Sequence, residues 1–323
     1  MITVYDATGN CLTRRVGSTE IRPETVWIDL LDPTPGEEGS VEGKLQIDVP
    51  TRAEMREIEA SSRFYQENGA HFMTSFVIYA KDTDTASTSN VTFILSGQRL
   101  VTVRYGEPKA FPLFAEKACR GDLPCASGPH IMAGLLEIIV QRQADLIEKV
   151  QDEVESLAPL IFHLRASGGN RGQRLESVLK TIGKEGDIVS RAQESSTSLH
   201  RTLHYFADAA RERNEDPRLI SRIEVIARDI NSLGDSLRSM SGRTNFLLDA
   251  TLGMIANEQN QIIKLFSVMS VMLMPPTLVA SVYGMNFKLM PELDWRLGYP
   301  FALALMFISA LIPFIYFRRK GWL

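Results

Sequence analysis

Hydrophobic and polar positions divide the chain into three regimes. At the C-terminal end, Leu265 to Phe287 contains no Asp, Glu, Lys, Arg or His, and Gly298 to Phe317 contains none either. At ~1.5 Å per residue, each run crosses a hydrocarbon core of about 30 Å as a helix. The pattern predicts a two-helix transmembrane hairpin, with a first helix over 262–287, an outer loop over 288–297 and a second helix over 298–317. The closing run Arg318-Arg319-Lys320-Gly321-Trp322-Leu323 is basic. Positive charge beside a membrane helix marks the cytoplasmic side. Two crossings bring the chain back to the side it left, so both termini are expected in the cytoplasm.

From Pro129 to residue 261 the period is helical. Apolar residues recur every three or four positions from Ile131 to about Leu164, and Ser167-Gly168-Gly169-Asn170 is a turn. A second helix is predicted from Gly172 to Arg213, antiparallel to the first. Asp216 and Pro217 suit the cap and first position of a third helix. Along it Ile223, Ile226, Ile230, Leu233, Leu237, Met240, Thr244, Leu247, Thr251 and Met254 alternate gaps of three and four. This predicts a coiled-coil seam continuing into the membrane and joining copies of the chain.

Residues 1–128 carry a different pattern. Thr25 to Leu30, Ala70 to Ala80, Val91 to Leu95 and Arg99 to Arg104 are rich in β-branched and aromatic residues and are predicted strands, with Ser96-Gly97-Gln98 as a hairpin turn. Thr51 with Glu54 forms a capping pair expected to open a helix through Glu59. The fold class is therefore an α/β N-terminal cytoplasmic domain, then long antiparallel and coiled-coil helices, then the transmembrane hairpin.

Composition narrows the function. A net charge of -4 and a pI near 5.8 give no basic footprint for nucleic acid. Cys11, Cys119 and Cys125 form no Cys-x-x-Cys pair and fit free thiols. There is no Gly-Lys-Ser/Thr phosphate loop, dinucleotide glycine pattern or nucleophile elbow, so neither an enzyme nor an organic cofactor is expected. Two helices cannot enclose an aqueous path alone, so a pore would require several copies.

Stepping back from Asn286, the residues Ser281, Thr277, Met274, Ser270, Phe266 and Ile263 fall on one helical stripe without charge. Small hydroxyl residues are also common where membrane helices pack, so the residues alone leave packing and pore lining both open. Asp249, fourteen residues before Ile263 and beside Leu247, Leu248 and Leu252, is out of pattern for an apolar seam. His200 and His204 are one helical turn apart, a spacing that suits zinc, but no third ligand follows and a solvated face is expected. Glu148, Asp152, Glu153 and Glu155 are likewise read as a wet helix face.

Tyr283-Gly284-Met285-Asn286, followed by Met290-Pro291-Glu292-Leu293, Trp295 and Gly298-Tyr299-Pro300, resembles the signature of the CorA family of divalent-cation channels. The likeness extends through Pro275-Pro276-Thr277-Leu278-Val279-Ala280-Ser281 and the basic tail. In the N-terminal part, Trp27-Ile28-Asp29-Leu30 with Asp32-Pro33 is similar to that family. The resemblance implies a funnel-shaped homo-oligomeric channel, with five subunits, in the inner membrane; the residues themselves fix no number. It implies Mg2+ as both transported and regulatory ion, with Gly284, Met285 and Asn286 as selectivity filter and the stripe as pore lining. Co2+ and Ni2+ are expected to pass an amide ring that reads hydrated ions. Glu292 would be the cation-attracting position of the outer loop, where Lys288 and Arg296 offset Glu292 and Asp294. Asp249 would face the neighbouring subunit and hold the regulatory ion, with Glu57 and Glu59 as candidate partners. Two alternatives stay open: a zinc transporter of the ZntB type, which shares Gly-Met-Asn although Met-Pro-Glu-Leu favours the CorA side, and a membrane-anchored coiled-coil scaffold.

Overall fold

The computed structural model describes residues 1–9, 11–57, 59, 63–80, 86–162, 171–286, 290–291 and 295–322. Its strands are β1 (Ile2–Thr8), β2 (Cys11–Val16), β3 (Thr25–Leu31), β4 (Phe64–Glu67), β5 (Ala70–Ala80), β6 (Ala86–Ser96) and β7 (Arg99–Arg104). Its helices are α1 (Pro35–Leu45), α2 (Ala110–Arg120), α3 (Gly128–Phe162), α4 (Arg171–Glu212), α5 (Pro217–Tyr283) and α6 (Gly298–Arg319). The chain divides into two compact units: Met1–Phe162 with Lys180–Leu247, and His163–Leu179 with Leu248–Leu323.

The first unit is built on one seven-stranded sheet in the order β2-β1-β3-β7-β6-β5-β4. β3 and β7 run parallel; the other described pairs are antiparallel. Successive side chains alternate between faces, so Ile28, Leu30, Ile94, Val101 and Val103 pack on the side of Val41 from α1. Trp27, Phe93 and Leu100 point the other way, onto Phe111 and Phe114 of α2 and Ile131 and Leu135 of α3. Gly128 opens α3 hard against the β6–β7 turn, where a Cβ would lie 2.5 Å from the Arg99 carbonyl carbon. Asp29 and Arg104, one on each of the two parallel strands, are buried as an ion pair of 2.7 Å, and the Thr102 hydroxyl donates to the same carboxylate at 2.8 Å. The four expected strands all form. The expected helix from Thr51 does not: the Thr51–Glu54 pair caps a single 3-10 turn, Glu54–Arg56.

α4 protects the edge of the sheet. Because β4 pairs only with Ala70 to Met73 of β5, later β5 amides face outward without a strand partner. The Phe76 and Ile78 amides donate instead to the hydroxyls of Ser198 and Ser195, at 2.9 and 3.2 Å, and the Ser75 and Thr202 hydroxyls bond at 2.6 Å. Gln143 of α3 adds a buried amide that donates to the Ser196 hydroxyl at 2.7 Å and accepts from Ser195 at 3.2 Å.

The α5 seam requires a correction. Ile223, Ile226 and Ile230 belong to the same buried cluster as Leu199, Leu203 and Phe206 of α4 and the apolar residues of α3. Arg222 pairs with Glu137 of α3, and Arg243 reaches Glu155 of α3 at 3.0 Å. Through Leu247 the three-and-four pattern is thus consumed inside one chain by α3 and α4. The same periodicity serves an intrachain three-helix packing as well as an intermolecular coiled coil, and it cannot distinguish them.

In the second unit, α5 continues as helix through Pro275 and Pro276 to Tyr283, and α6 spans 22 residues. Both helices are long and apolar enough to cross a membrane by length and composition.

Candidate functional site: the end of α5 and its uncharged stripe

The helix ends where the motif begins. Tyr283 is the last helical residue, the Gly284 amide still donates to the Ala280 carbonyl at 2.9 Å, and Met285 and Asn286 are exposed beyond it. Glycine at 284 eases a close approach: a Cβ there would lie 3.1 Å from the Ala280 carbonyl oxygen. With no side chain to accommodate, the backbone leaves the helix tightly and delivers Asn286 at its tip.

Below this tip most of α5 is exposed, and its few covered positions cluster on one side. Val268 is buried, and Met272, Pro275, Pro276, Val279 and Tyr283 are half-buried. Ile263, Phe266, Ser270, Met274, Thr277 and Ser281 are all exposed. At ~100° per residue the two sets are centred about 170° apart around the helix axis. The stripe marked by the sequence therefore lies on the part of α5 that its own unit leaves open, which also includes Leu273 and Leu278. Near the start of the segment the Trp322 ring of the tail lies 5.9 Å from Lys264 Nζ.

The hydroxyls on the open side have a defined orientation. Ser270 donates to the Phe266 carbonyl at 2.9 Å and Thr277 to the Leu273 carbonyl at 2.8 Å. With the donor hydrogen turned back into the helix, the oxygen lone pairs remain to accept from water. A hydrated cation directs its water hydrogens outward, so acceptors without fixed charge suit its hydration shell.

Other sequence-marked residues fall elsewhere. Glu292 lies outside the described residues. Asp249, Glu57 and Glu59 are each exposed, and among the described residues no group of three His, Cys, Asp or Glu is placed to hold a metal ion. Among the described residues, Asp249 therefore stands outside any such group. Glu148, Asp152 and Glu155 are exposed, as a wet face requires. His200 and His204 are in mutual contact, with Nε2 atoms 3.1 Å apart. Burial first, and then the His204 ring, hold His200 below the ordinary imidazole range.

The sequence reading missed Glu185. It continues the apolar line Leu175, Val178, Ile182 toward Val189 and Ala192 at the same alternating spacing, and that line was the available signal. Its side chain is 1% exposed, Oε1 has no hydrogen-bond partner and Lys184 Nζ stands 3.7 Å away. Burial, then the neighbouring Glu153, push its carboxyl up to about 7. Also unforeseen is a cavity of about 1010 Å³ at the carboxyl ends of β3 and β7, lined among others by Tyr5, Arg14, Lys109 and Glu116. The Asp29–Arg104 pair borders it, already mutually neutralised.

Comparison with known proteins follows the same lines. The model of the family described as CorA-like Mg2+ transporter protein matches residues 23–319. The magnesium transport protein CorA of Yersinia pestis is 35% identical over 324 residues, covering 100% of both chains, and that of Escherichia coli K12 gives the same figures. Among solved structures, the CorA magnesium transporter of Methanocaldococcus jannaschii aligns with a TM-score of 0.71 at 17% identity, over 100% of this chain and 99% of that one. The cytoplasmic domain of ZntB from Vibrio parahaemolyticus aligns at 0.54 and 10% identity, over 80% of this chain and 97% of that one. Both structural likenesses are of fold alone. A family match over most of the chain, with full-length identity of 35% to curated members, has one consequence: the chain belongs to the CorA-like Mg2+ transporter family, a transport rather than an enzyme family.

Proposed function

We propose that this chain assembles into a homo-oligomeric inner-membrane channel, pentameric by the family resemblance, that passes hydrated Mg2+ into the cytoplasm. The observation that carries the reading is the open side of α5: an uncharged stripe of acceptor hydroxyls, Met274 and Phe266, ending at Asn286 and opposite the side its own unit covers. In a ring of copies these stripes face one axis. Magnesium sheds its waters reluctantly, so a ring of Asn286 amide oxygens accepts hydrogen bonds from the hydration shell without replacing it. The absence of a fixed charge at that ring keeps binding weak and release fast. Met274 and Phe266 form apolar rings that conduct when wetted and close when dry.

The membrane potential supplies the driving force: a dication moving inward gains ~4.6 kcal/mol per 100 mV, twice the value for one charge. Since the seam above Leu247 is occupied within the chain, contacts between copies fall to the open α5 side and the faces that remain. Asp249 acts in regulation only between copies, because each contributes one carboxylate. Flux of Mg2+, Co2+, Ni2+ and Zn2+ into proteoliposomes under an imposed potential tests the proposal. Potential-driven Mg2+ entry that is indifferent to ATP supports it. Zn2+ entry exceeding Mg2+ entry transfers the assignment to zinc, and no flux of any ion leaves only a scaffold.

A further inference from the structure

We propose that His200 and His204 form a chelating site for a late first-row transition-metal dication such as Ni2+, Zn2+ or Cu2+, chemically distinct from any Mg2+ site and independent of the pore reading. The two imidazoles lie one turn apart on α4 with Nε2 atoms 3.1 Å apart, joined by one hydrogen bond. Metal–imidazole bonds of about 2.0–2.1 Å at a tetrahedral angle separate the two nitrogens by ~3.3–3.4 Å. Binding one metal ion through both Nε2 atoms therefore asks the donating ring to carry its proton on Nδ1 instead of Nε2, and asks the rings to part by a few tenths of an ångström and to turn both lone pairs onto one point.

The scaffold under the pair is rigid. Ser195, Ser198 and Thr202 bind the opposite side of the same stretch of α4 to the β5 edge through hydroxyl contacts of 3.2, 2.9 and 2.6 Å. At ~100° per residue, His200 and His204 point about 180° away from those three residues. His204 is exposed and His200 half-exposed, so water completes the coordination sphere. Among the described residues no acid is paired with either ring, and Asp208, one turn further on, is engaged by Arg211 at 2.7 Å. Neutral nitrogen donors select for the ion. Imidazole suits Zn2+, Cu2+ and Ni2+, whereas Mg2+ takes oxygen ligands and keeps its waters.

The test is equilibrium dialysis of Ni2+ against the full-length protein in detergent, free of any polyhistidine tag, with excess Mg2+ present to fill oxygen sites. The expected result is one Ni2+ retained per subunit at micromolar concentrations, with affinity falling more than about tenfold in His200→Ala and in His204→Ala. Arg201→Ala, an exposed change on the same turn, should retain the ion, and oligomer elution and Tm unchanged in all three variants establish that the fold is intact. Cu2+ bound to the unmutated protein should show an electron paramagnetic resonance pattern from two nitrogen ligands. Ni2+ retention equal in the histidine variants, displacement of Ni2+ by Mg2+, or no retention by the unmutated protein would each overturn the assignment. If a histidine variant misfolds, the Cu2+ spectrum decides: a pattern without nitrogen coupling rejects the site.

Discussion

Trp27, Phe93 and Phe114 in the sheet domain are fully buried, whereas Phe266, Met274 and Leu278 on the last part of α5 are 65%, 70% and 64% exposed. The residue types are similar; their surroundings within one chain are opposite. In the first unit the main apolar lines find partners: strands alternate onto α1 or onto α2 and α3, and the α5 seam is taken up by α3 and α4. In the second unit only one side of the α5 apolar segment is covered. Water does not tolerate so large an apolar surface, and in the proposed channel lipid and further copies of the chain cover the remainder. The difference separates residues whose role is to hold one subunit together from residues whose role emerges in an assembly. Substitutions on the two sides should accordingly fail in different ways.

The largest contrast is expected at the tip of α5. Asn286→Ala should abolish or strongly reduce Mg2+ flux while oligomer elution and Tm remain unchanged, because Asn286 is exposed beyond the helix end. Flux at the unmutated level would remove the filter assignment.

The opposite signature should follow from Arg104→Ala in the sheet domain. It leaves Asp29 buried without its counterion and removes the guanidinium from the Phe111 ring, 4.4 Å away. Stripping one partner from a buried pair costs about 3–5 kcal/mol, measurable as a lower urea midpoint. Exchanging both partners for Leu and Met should recover part of that loss. A midpoint unchanged by Arg104→Ala would show that solvent reaches the pair.

A smaller effect, with a pH signature, belongs to Glu185. Its folded carboxyl titrates near 7 against an ordinary value of 4.5. Between those values the folded state holds a proton that the unfolded state releases, so stability is greatest below 4.5, falls as pH rises through the window and is lowest above 7. Glu185→Gln removes this penalty and should stabilise the protein by about 1–3 kcal/mol at pH 8 and by almost nothing at pH 4, below both values. Equal effects at both pH values would mean that Glu185 stays ionised throughout.

The smallest expected change returns to the second unit. Asp249→Ala should raise the internal Mg2+ concentration needed for half-inhibition by about tenfold and leave ion selectivity untouched. Superimposable inhibition curves would take Asp249 out of regulation with the pore reading intact.

Much of this was legible before folding. The uncharged runs, the strands from Thr25 to Arg104, the helix opening at Pro217 and the Gly284-Met285-Asn286 end all follow from local chemistry: charge exclusion, β-branched alternation, a proline-compatible first turn and a glycine exit. Other elements were hidden. α1 has the sequence Pro-Gly-Glu-Glu-Gly-Ser-Val-Glu-Gly-Lys-Leu, whose three glycines obscure a helix that the Thr34–Glu37 capping box nonetheless starts. The Thr51–Glu54 box, identical in type, caps only a single 3-10 turn, since a cap satisfies the first amides but does not propagate a helix.

The sequence alone determined periods and end signals, including the Gly284-Met285-Asn286 exit from α5, because each depends on residues within a turn or two of one another. Tertiary structure alone decided which side each period faces. A three-and-four repeat on α5 looks the same whether a neighbouring copy or the chain's own α3 and α4 receives it, and only packing shows that the upper seam is filled and the lower stripe open. Burial of Glu185, pairing of Asp29 with Arg104 across 75 residues and the 3.1 Å approach of two imidazoles arise the same way. Each depends on the distance between groups and the water around them, and the folded chain sets both.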